Sequence, residues 1–200
     1  MRFGLTEEQR MMQDMAKNFA ENEILPTLEE DEANHRFRPE LVKKMAEQGF
    51  FGCAVAEEYG GNGFGFLESV ILAEQIAKIS GSWRLPFNMQ NLGPAVTVNK
   101  FGTEEQKQKL IPQWVSGEST GFFAMTEPNT GSDVVGMGTT ATDRGDHWEL
   151  NGQKIWISNA HVGDWGLVYA MTDKSKKHKG MTCFIVNLKE NEGITTAAIE

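Results

Sequence analysis

The chain has 200 residues, of which 40% are hydrophobic, enough for one substantial core or two modest ones in a globular protein. Its formal net charge is −9. The acidic composition provides no basic stripe to neutralise phosphates, which argues against nucleic acids and anionic membranes as main partners. The sequence shows neither a secretory leader nor an apolar run long enough to span a membrane, which favours a cytoplasmic protein.

No histidine or cysteine spacing is typical of a zinc site, so we expect no metal ion.

The first part of the chain carries the signals of helix starts. Thr6 followed by Gln9, and Thr103 followed by Gln106, are capping boxes, in which each side chain satisfies a free backbone N–H of the first turn. Pro39 suits the first turn of another helix. Apolar residues at helical spacing follow these starts. The predicted helices begin at Thr6 and then cover residues 39–48, 66–80, 85–100 and 103–115.

After Gly117 the pattern changes to short alternating runs rich in Val, Ile, Thr and aromatic residues, which is typical of strands. The pair Asn151-Gly152 stands between two such runs and is the strongest short-range signal for a β-hairpin. The sequence therefore predicts an α+β chain, with a helical N-terminal domain over residues 1–117 and a β domain over residues 118–200.

One motif at the predicted boundary suggests a hydrolase. Residues 117–121 (GESTG) match the nucleophile elbow of α/β-hydrolases, which requires a strand before the serine and a helix after it. Here a predicted helix precedes the motif and a predicted strand follows it. We therefore reject the hydrolase interpretation and treat Ser119 as an ordinary loop residue.

The strand predicted at residues 153–158 carries groups suited to a planar cofactor. Side chains alternate along a strand, so Lys154, Trp156 and Ser158 are predicted to share one face. An indole beside a hydroxyl offers a stacking surface and a hydrogen bond. The alternative for Trp156 is a surface tryptophan packed against a neighbouring element.

A second segment, residues 123–133, reads as a strand broken by proline and followed by a loop that contains glycine. Successive N–H groups in such a loop can bind an anion or a carbonyl oxygen. The hydroxyls of Thr126 and Ser132 add further hydrogen-bonding groups. The residues alone therefore indicate a polar ligand without identifying it.

At these two segments the sequence resembles the acyl-CoA dehydrogenase family. Residues 125–133 (MTEPNTGSD) and 150–159 (LNGQKIWISN) are similar to the two flavin-binding signatures of that family, in family order and separation. Residues 57–61 (EEYGG) and 101–106 (FGTEEQ) also resemble recurrent family segments. The resemblance therefore covers the whole chain.

This resemblance implies an FAD cofactor and a β-barrel-like middle domain after the helical one. It implies that Thr126 bonds the pyrimidine side of the flavin, that Trp156 lies against the ring and that Ser158 lies near N5. Ser132 would also meet the coenzyme-A part of the substrate. The cofactor-binding residues implied in this way are Phe123, Met125, Thr126, Gly131, Ser132, Trp156, Ile157 and Ser158.

Arg84 lies in an otherwise apolar stretch, where an unpaired guanidinium would be costly to bury. The segment around it resembles glutaryl-CoA dehydrogenases, in which an arginine holds the distal carboxylate of the substrate. Leu85 follows it where those enzymes commonly carry serine. The resemblance thus implies that Arg84, Leu85 and Ser132 bind a dicarboxylic acyl-CoA. A surface position or an internal ion pair is the alternative for Arg84, and a branched, aromatic or cyclic acyl-CoA is the alternative substrate.

The family reaction is the α,β-dehydrogenation of an acyl-CoA thioester, in which a carboxylate base removes the α-proton while the β-hydrogen leaves as hydride. Family members carry that glutamate in a further C-terminal helical domain, and no residue here matches it. We therefore expect a portion of a longer enzyme, with the catalytic base beyond residue 200. Electron-transferring flavoprotein as oxidant and a homotetramer are implied as well. A non-catalytic flavin or acyl-CoA binding module and a flavin monooxygenase are the alternatives.

Overall fold

The computed structural model describes residues 4–191 and 193–199. The chain divides into two compact units, Met1–Thr120 and Gly121–Glu200. Over the described residues, no helix combines the length and the apolar character that crossing a membrane requires. The first unit is helical and the second contains a sheet, so the predicted α+β composition is confirmed.

Four helices of the first unit begin where the sequence signals predict, two of them at the capping boxes. The Thr6 hydroxyl accepts a hydrogen bond from the Gln9 N–H at 3.1 Å, and the Gln9 side chain accepts one from the Thr6 N–H at 3.0 Å. The same reciprocal bonds join Thr103 and Gln106. The helices are α1 (Glu7–Phe19), α2 (Leu25–Ala33), α3 (Pro39–Glu47), α4 (Phe66–Ile79), α5 (Gly81–Leu92), α6 (Pro94–Phe101) and α7 (Glu104–Val115).

Three features of this unit differ from the prediction. The stretch predicted over residues 85–100 starts earlier, at Gly81, because the Ser80 hydroxyl caps α5 by accepting from the Trp83 N–H. It also breaks at Gly93, because Pro94 has no N–H to donate and disfavours a helical residue before it. In addition, a π-helical segment, Ala20–Ile24, leads from α1 into α2, which the sequence analysis did not predict.

The core of the first unit lies between α1, α3, α4 and α5. Its side chains are almost completely removed from water, and such burial is the main favourable term in folding. Phe19 and Phe50 meet edge to face, with their ring centroids 5.3 Å apart. The buried cluster includes Ala16, Phe19, Ile24, Leu41, Met45, Phe50, Phe51, Leu72, Ile76 and Phe87.

The second unit contains one five-stranded mixed sheet. The strands are β1 (Phe122–Ala124), β2 (Thr140–Asp143), β3 (Trp148–Asn151), β4 (Trp165–Met171) and β5 (Met181–Asn187). β4 pairs in parallel with β1 and antiparallel with β5, and β2 pairs antiparallel with β3. Among the described residues these strands form an open path that ends at β1 and β3, with no closed barrel ring. Loops occupy more of the unit than the sequence pattern suggested.

The hairpin predicted at Asn151-Gly152 is wrong. The hairpin is formed by β2 and β3, and its turn lies around Gly145, where the Arg144 N–H donates to the His147 carbonyl at 2.9 Å. Gly152 has another role: a Cβ at this position would lie 2.3 Å from Thr139 Oγ1 and 2.6 Å from Thr139 Cα. Glycine is therefore needed there because two stretches of chain pass close together.

Candidate functional site

The two motif segments are far apart in sequence but are hydrogen-bonded to each other in the second unit. The Ile155 N–H donates to the Thr126 carbonyl at 3.0 Å. The Lys154 ammonium donates to the Met125 carbonyl at 3.1 Å. Trp156 directly follows these donors along the chain, so Thr126 and Trp156 flank the same junction.

A buried ion pair lies at this junction. Lys154 Nζ lies 2.8 Å from Glu127 Oε1, and the two side chains are only 11% and 6% exposed. The carboxylate also accepts the N–H groups of Gly138 at 2.5 Å and Thr139 at 3.0 Å. Both carboxylate oxygens are thus engaged, so Glu127 is not free to take up a proton from a ligand.

The environment of Glu127 keeps this carboxyl group ionised. Burial alone would raise its pKa, but the hydrogen bonds from Lys154 and from the backbone of Gly138 and Thr139 outweigh burial and lower the pKa to about 2. Backbone N–H donors and an ammonium group stabilise only the charged form. Glu127 is therefore a fixed negative charge that orders the loop rather than a proton carrier.

This depressed pKa predicts a specific loss of stability in acid. Because the folded pKa of about 2 lies below the unfolded value of about 4.3, the contribution of Glu127 is complete above about pH 5. It should disappear as the pH falls towards 2. The unfolding free energies of the protein and of Glu127→Gln, measured in urea from about pH 6 to about pH 2.5, should therefore converge at low pH.

Glu190→Gln, which changes an exposed carboxylate in the same unit, is the matched control. The unfolding free energy of this variant should differ little from that of the unchanged protein at every pH. If the unfolding free energies of the unchanged protein and of Glu127→Gln differ by the same amount down to about pH 2.5, the depressed pKa is contradicted.

The structure corrects the predicted placement of Trp156. Residues 153–158 form no strand, so Lys154, Trp156 and Ser158 do not share a strand face. Lys154 is largely buried against Glu127, whereas Trp156 is 67% exposed and has a φ of 61°. A left-handed conformation is uncommon for tryptophan and is held here by the surrounding loop. The strand pattern failed because the local bonds go to Thr126 and not to a neighbouring strand.

Three hydroxyl groups of the motif segments have no hydrogen-bond partner within the described residues. They belong to Thr126, Ser132 and Ser158. Ser158 lies in a turn closed by the Ala160 N–H, which donates to the Ile157 carbonyl at 3.2 Å. Thr126 and Ser158 are half-buried and Ser132 is exposed. Hydroxyls without a protein partner and an exposed indole are groups that a planar ligand with carbonyl and nitrogen acceptors can use.

The remaining predicted cofactor residues differ in their exposure. Phe123 lies on β1, with its ring 5.0 Å from that of Tyr169, and is half-buried, as are Met125 and Ile157. Gly131 is exposed, and a Cβ there would meet no atom of the described residues within 4 Å. Packing within the protein therefore leaves open space at Gly131, which a bound molecule can approach closely.

The predicted substrate residues Arg84 and Leu85 lie on α5 in the first unit. Arg84 is half-buried, and within the described part of the chain its guanidinium forms neither an ion pair nor a hydrogen bond. Leu85 is 39% exposed. One turn further, Asn88 Oδ1 is buried without a hydrogen-bond partner. The internal ion pair considered as an alternative for Arg84 is therefore not present among these residues.

Sequence reasoning missed the residues that hold the motifs in place. Glu127 and Lys154 are separated by 27 positions, and no local pattern links them. Asn159 is buried with a φ of 67°, and its side chain donates to the Gly121 carbonyl at 3.0 Å. The asparagine directly after Trp156-Ile157-Ser158 was the available signal, since asparagine tolerates left-handed φ better than most residues.

Comparison with protein-family models assigns both units. Residues 6–118 match the acyl-CoA dehydrogenase N-terminal domain, and residues 122–200 match the acyl-CoA dehydrogenase middle domain. The chain belongs to the acyl-CoA dehydrogenase family. The family resemblance inferred from the two motifs is thereby confirmed.

Two curated relatives illustrate the range within this family. The glutaryl-CoA dehydrogenase of Desulfococcus multivorans is 42% identical over 203 residues, which cover 100% of this chain and 52% of that protein. The caffeyl-CoA reductase-Etf complex subunit CarC of Acetobacterium woodii is 38% identical over 191 residues, covering 95% of this chain and 50% of that protein. The chain thus spans about half the length of these family members.

Two solved structures have the same fold. A glutaryl-coenzyme A dehydrogenase in complex with glutaryl-CoA superimposes with a TM-score of 0.96 at 41% identity, covering 100% of this chain and 51% of that one. The glutaryl-CoA dehydrogenase of Mycobacterium smegmatis in complex with FADH2 gives a TM-score of 0.91 at 27% identity, covering 98% and 49% of the two chains.

Proposed function

We propose that this chain supplies the flavin site of an FAD-dependent acyl-CoA dehydrogenase. The observation that carries the proposal is the junction at which Ile155 and Lys154 bond to the backbone of Thr126 and Met125. This junction brings together the two segments that resemble the family's flavin signatures. Membership of the family and a relative solved with FADH2 support the same cofactor.

The residues proposed to hold FAD are those predicted from the sequence. Thr126 would bond the pyrimidine side through its free hydroxyl, Trp156 would cover the ring, and Ser158 would contribute a hydroxyl near N5. Phe123, Met125, Gly131, Ser132 and Ile157 would complete the site. Bound FAD supplies a hydride acceptor, and the protein fixes its position and excludes water around it.

We further propose a dicarboxylic acyl-CoA, such as glutaryl-CoA, as substrate. Support comes from Arg84, whose half-buried guanidinium has no partner among the described residues and can offer two parallel N–H donors to a carboxylate. The glutaryl-CoA dehydrogenase of Desulfococcus multivorans, identical at 42% of the aligned positions, supports the same substrate class. Leu85 would line the acyl chain, and Ser132 would meet the coenzyme-A part.

The wider assembly is proposed from the family resemblance. The two domains would be residues 1–117 and 118–200, and the active protein would be a homotetramer. Electron-transferring flavoprotein would reoxidise the flavin, and the Etf-complex subunit among the relatives supports this partner. The α,β-dehydrogenation itself is tested most directly by anaerobic addition of glutaryl-CoA to the FAD-loaded full-length enzyme, which should bleach the flavin absorbance.

The cofactor site is tested by substituting Trp156. We expect Trp156→Ala to weaken FAD binding about tenfold, because it removes the large aromatic surface proposed to cover the ring. Ser158→Ala should have a smaller effect of the same sign, since one hydrogen bond is lost. FAD dissociation constants from titration of the apoprotein measure both effects.

Trp148→Ala is the matched control, because Trp148 is also exposed, at 45%, in the same unit but lies outside both motif segments. FAD affinity should be unchanged in this variant. Equal effects of Trp148→Ala and Trp156→Ala would show that the flavin does not lie against Trp156.

A further inference from the structure

The Glu127–Lys154 pair holds both sides of the proposed flavin site. Glu127 directly follows Thr126, and its carboxylate is anchored by the Gly138 and Thr139 N–H groups. Lys154 lies two positions before Trp156, and its ammonium bonds both Glu127 at 2.8 Å and the Met125 carbonyl at 3.1 Å. Lys154 therefore forms hydrogen bonds with the residues directly before and after Thr126.

We propose that Glu127 and Lys154 are positioning residues for the flavin: their ion pair fixes the Thr126 segment against the Trp156 segment. This inference rests on the proposed FAD site. Neither residue is assigned contact with the cofactor or a part in proton transfer. They act through Thr126 and Trp156, whose free hydroxyl and exposed ring are proposed to bind the flavin.

Because the two residues carry opposite charges, they also affect the electrostatic potential at the flavin. Lys154 and Glu127 cancel each other at the junction, so the flavin experiences little net charge from them. If one partner is neutralised, the other remains as an uncompensated, largely buried charge. Reduction adds negative charge to the flavin, so a remaining ammonium favours reduction and a remaining carboxylate opposes it.

The test uses three variants of the full-length protein: Glu127→Gln, Lys154→Met and the double variant. We measure the FAD dissociation constant and the two-electron reduction potential of the bound flavin. Each single variant should weaken FAD binding about tenfold, because breaking a buried pair strains both segments. Glu127→Gln should raise the potential and Lys154→Met should lower it. The double variant, which leaves no unpaired charge, should have a potential close to that of the unchanged protein.

Two further variants are controls that separate the effects of this ion pair from a general disruption of the unit. Lys154→Arg keeps the positive charge, so its potential should match that of the unchanged protein even if its different shape weakens FAD binding. Glu149→Gln disrupts the exposed Arg144–Glu149 pair of the same unit, whose atoms lie 2.8 Å apart. It should leave both affinity and potential unchanged.

The outcomes separate this inference from the proposed function. If the unchanged protein binds no FAD, the proposed function itself fails. If it binds FAD but the two single variants shift the potential in the same direction or not at all, the positioning role is overturned. An FAD affinity in both single variants equal to that of the unchanged protein would also overturn it.

Discussion

Replacing Arg84 by alanine in the full-length enzyme should lower kcat/KM for glutaryl-CoA about a hundredfold, while activity on pentanoyl-CoA, the monocarboxylic thioester of equal chain length, stays nearly constant. Losing one partner of a desolvated charge pair costs roughly 2–5 kcal/mol. The uncharged end of pentanoyl-CoA makes no such pair, so it loses nothing when the guanidinium is removed. Steady-state rates on the two thioesters, measured side by side, give the ratio that decides the role of Arg84.

Arg36→Ala is the matched control, since Arg36 is an exposed arginine of the same unit. It should change neither rate. The kcat/KM of Arg84→Lys for glutaryl-CoA should lie between those of Arg84→Ala and Arg36→Ala, because lysine keeps the charge but cannot offer two parallel N–H donors. If Arg84→Ala lowers both rates equally, or leaves the rate on glutaryl-CoA unchanged, Arg84 is structural and a branched, aromatic or cyclic acyl-CoA becomes the better substrate hypothesis.

The second large effect is expected at Gly166, where β1 and β4 pair in parallel. Gly166 is in register with Phe122, and a Cβ on Gly166 would lie 2.4 Å from both Phe122 Cδ1 and the Phe122 carbonyl oxygen. The carbonyl belongs to the backbone and cannot move aside without opening the strand pair. We expect Gly166→Ala to destabilise the second unit by about 3 kcal/mol, at the upper end of the usual cost of overpacking.

Gly193→Ala is the control, because a Cβ there would meet no atom of the described part of the chain within 4 Å. Thermal unfolding and amide hydrogen exchange of β1 and β4 measure the difference between the two variants. Gly166→Ala should lower the unfolding midpoint by more than about 10 °C. An unfolding midpoint in Gly166→Ala as high as that of Gly193→Ala would show that the sheet accommodates the methyl group.

The features that the sequence predicted well are those set by neighbouring residues. Both capping boxes form as expected, because each needs only residues three positions apart. The break before Pro94 was equally local, although the prediction overlooked it. The motifs around Thr126 and Trp156 identified the family through their residue order, without any knowledge of how the chain brings them together.

The features that the sequence could not predict depend on contacts between distant segments. The Asn151-Gly152 pair suggested a turn, but glycine is required there by the close passage of Thr139. Trp156 was placed on a strand because of alternation, whereas the segment is a loop joined to Thr126 by the hydrogen bond from the Ile155 N–H. The Glu127–Lys154 pair joins residues that no periodicity relates. Tertiary contacts thus override local patterns in the parts of the unit that form the site.

The parallel pairing of β1 with β4 also constrains the order in which the second unit can assemble. Both motif segments lie on the chain between these two strands, so pairing β1 with β4 closes a single large loop that contains them. Closing such a loop loses chain entropy before the contacts inside it form, and non-local pairing of this kind slows folding. We therefore expect the proposed flavin site to form late in folding, and a ligand that binds only the folded site to stabilise the closed loop.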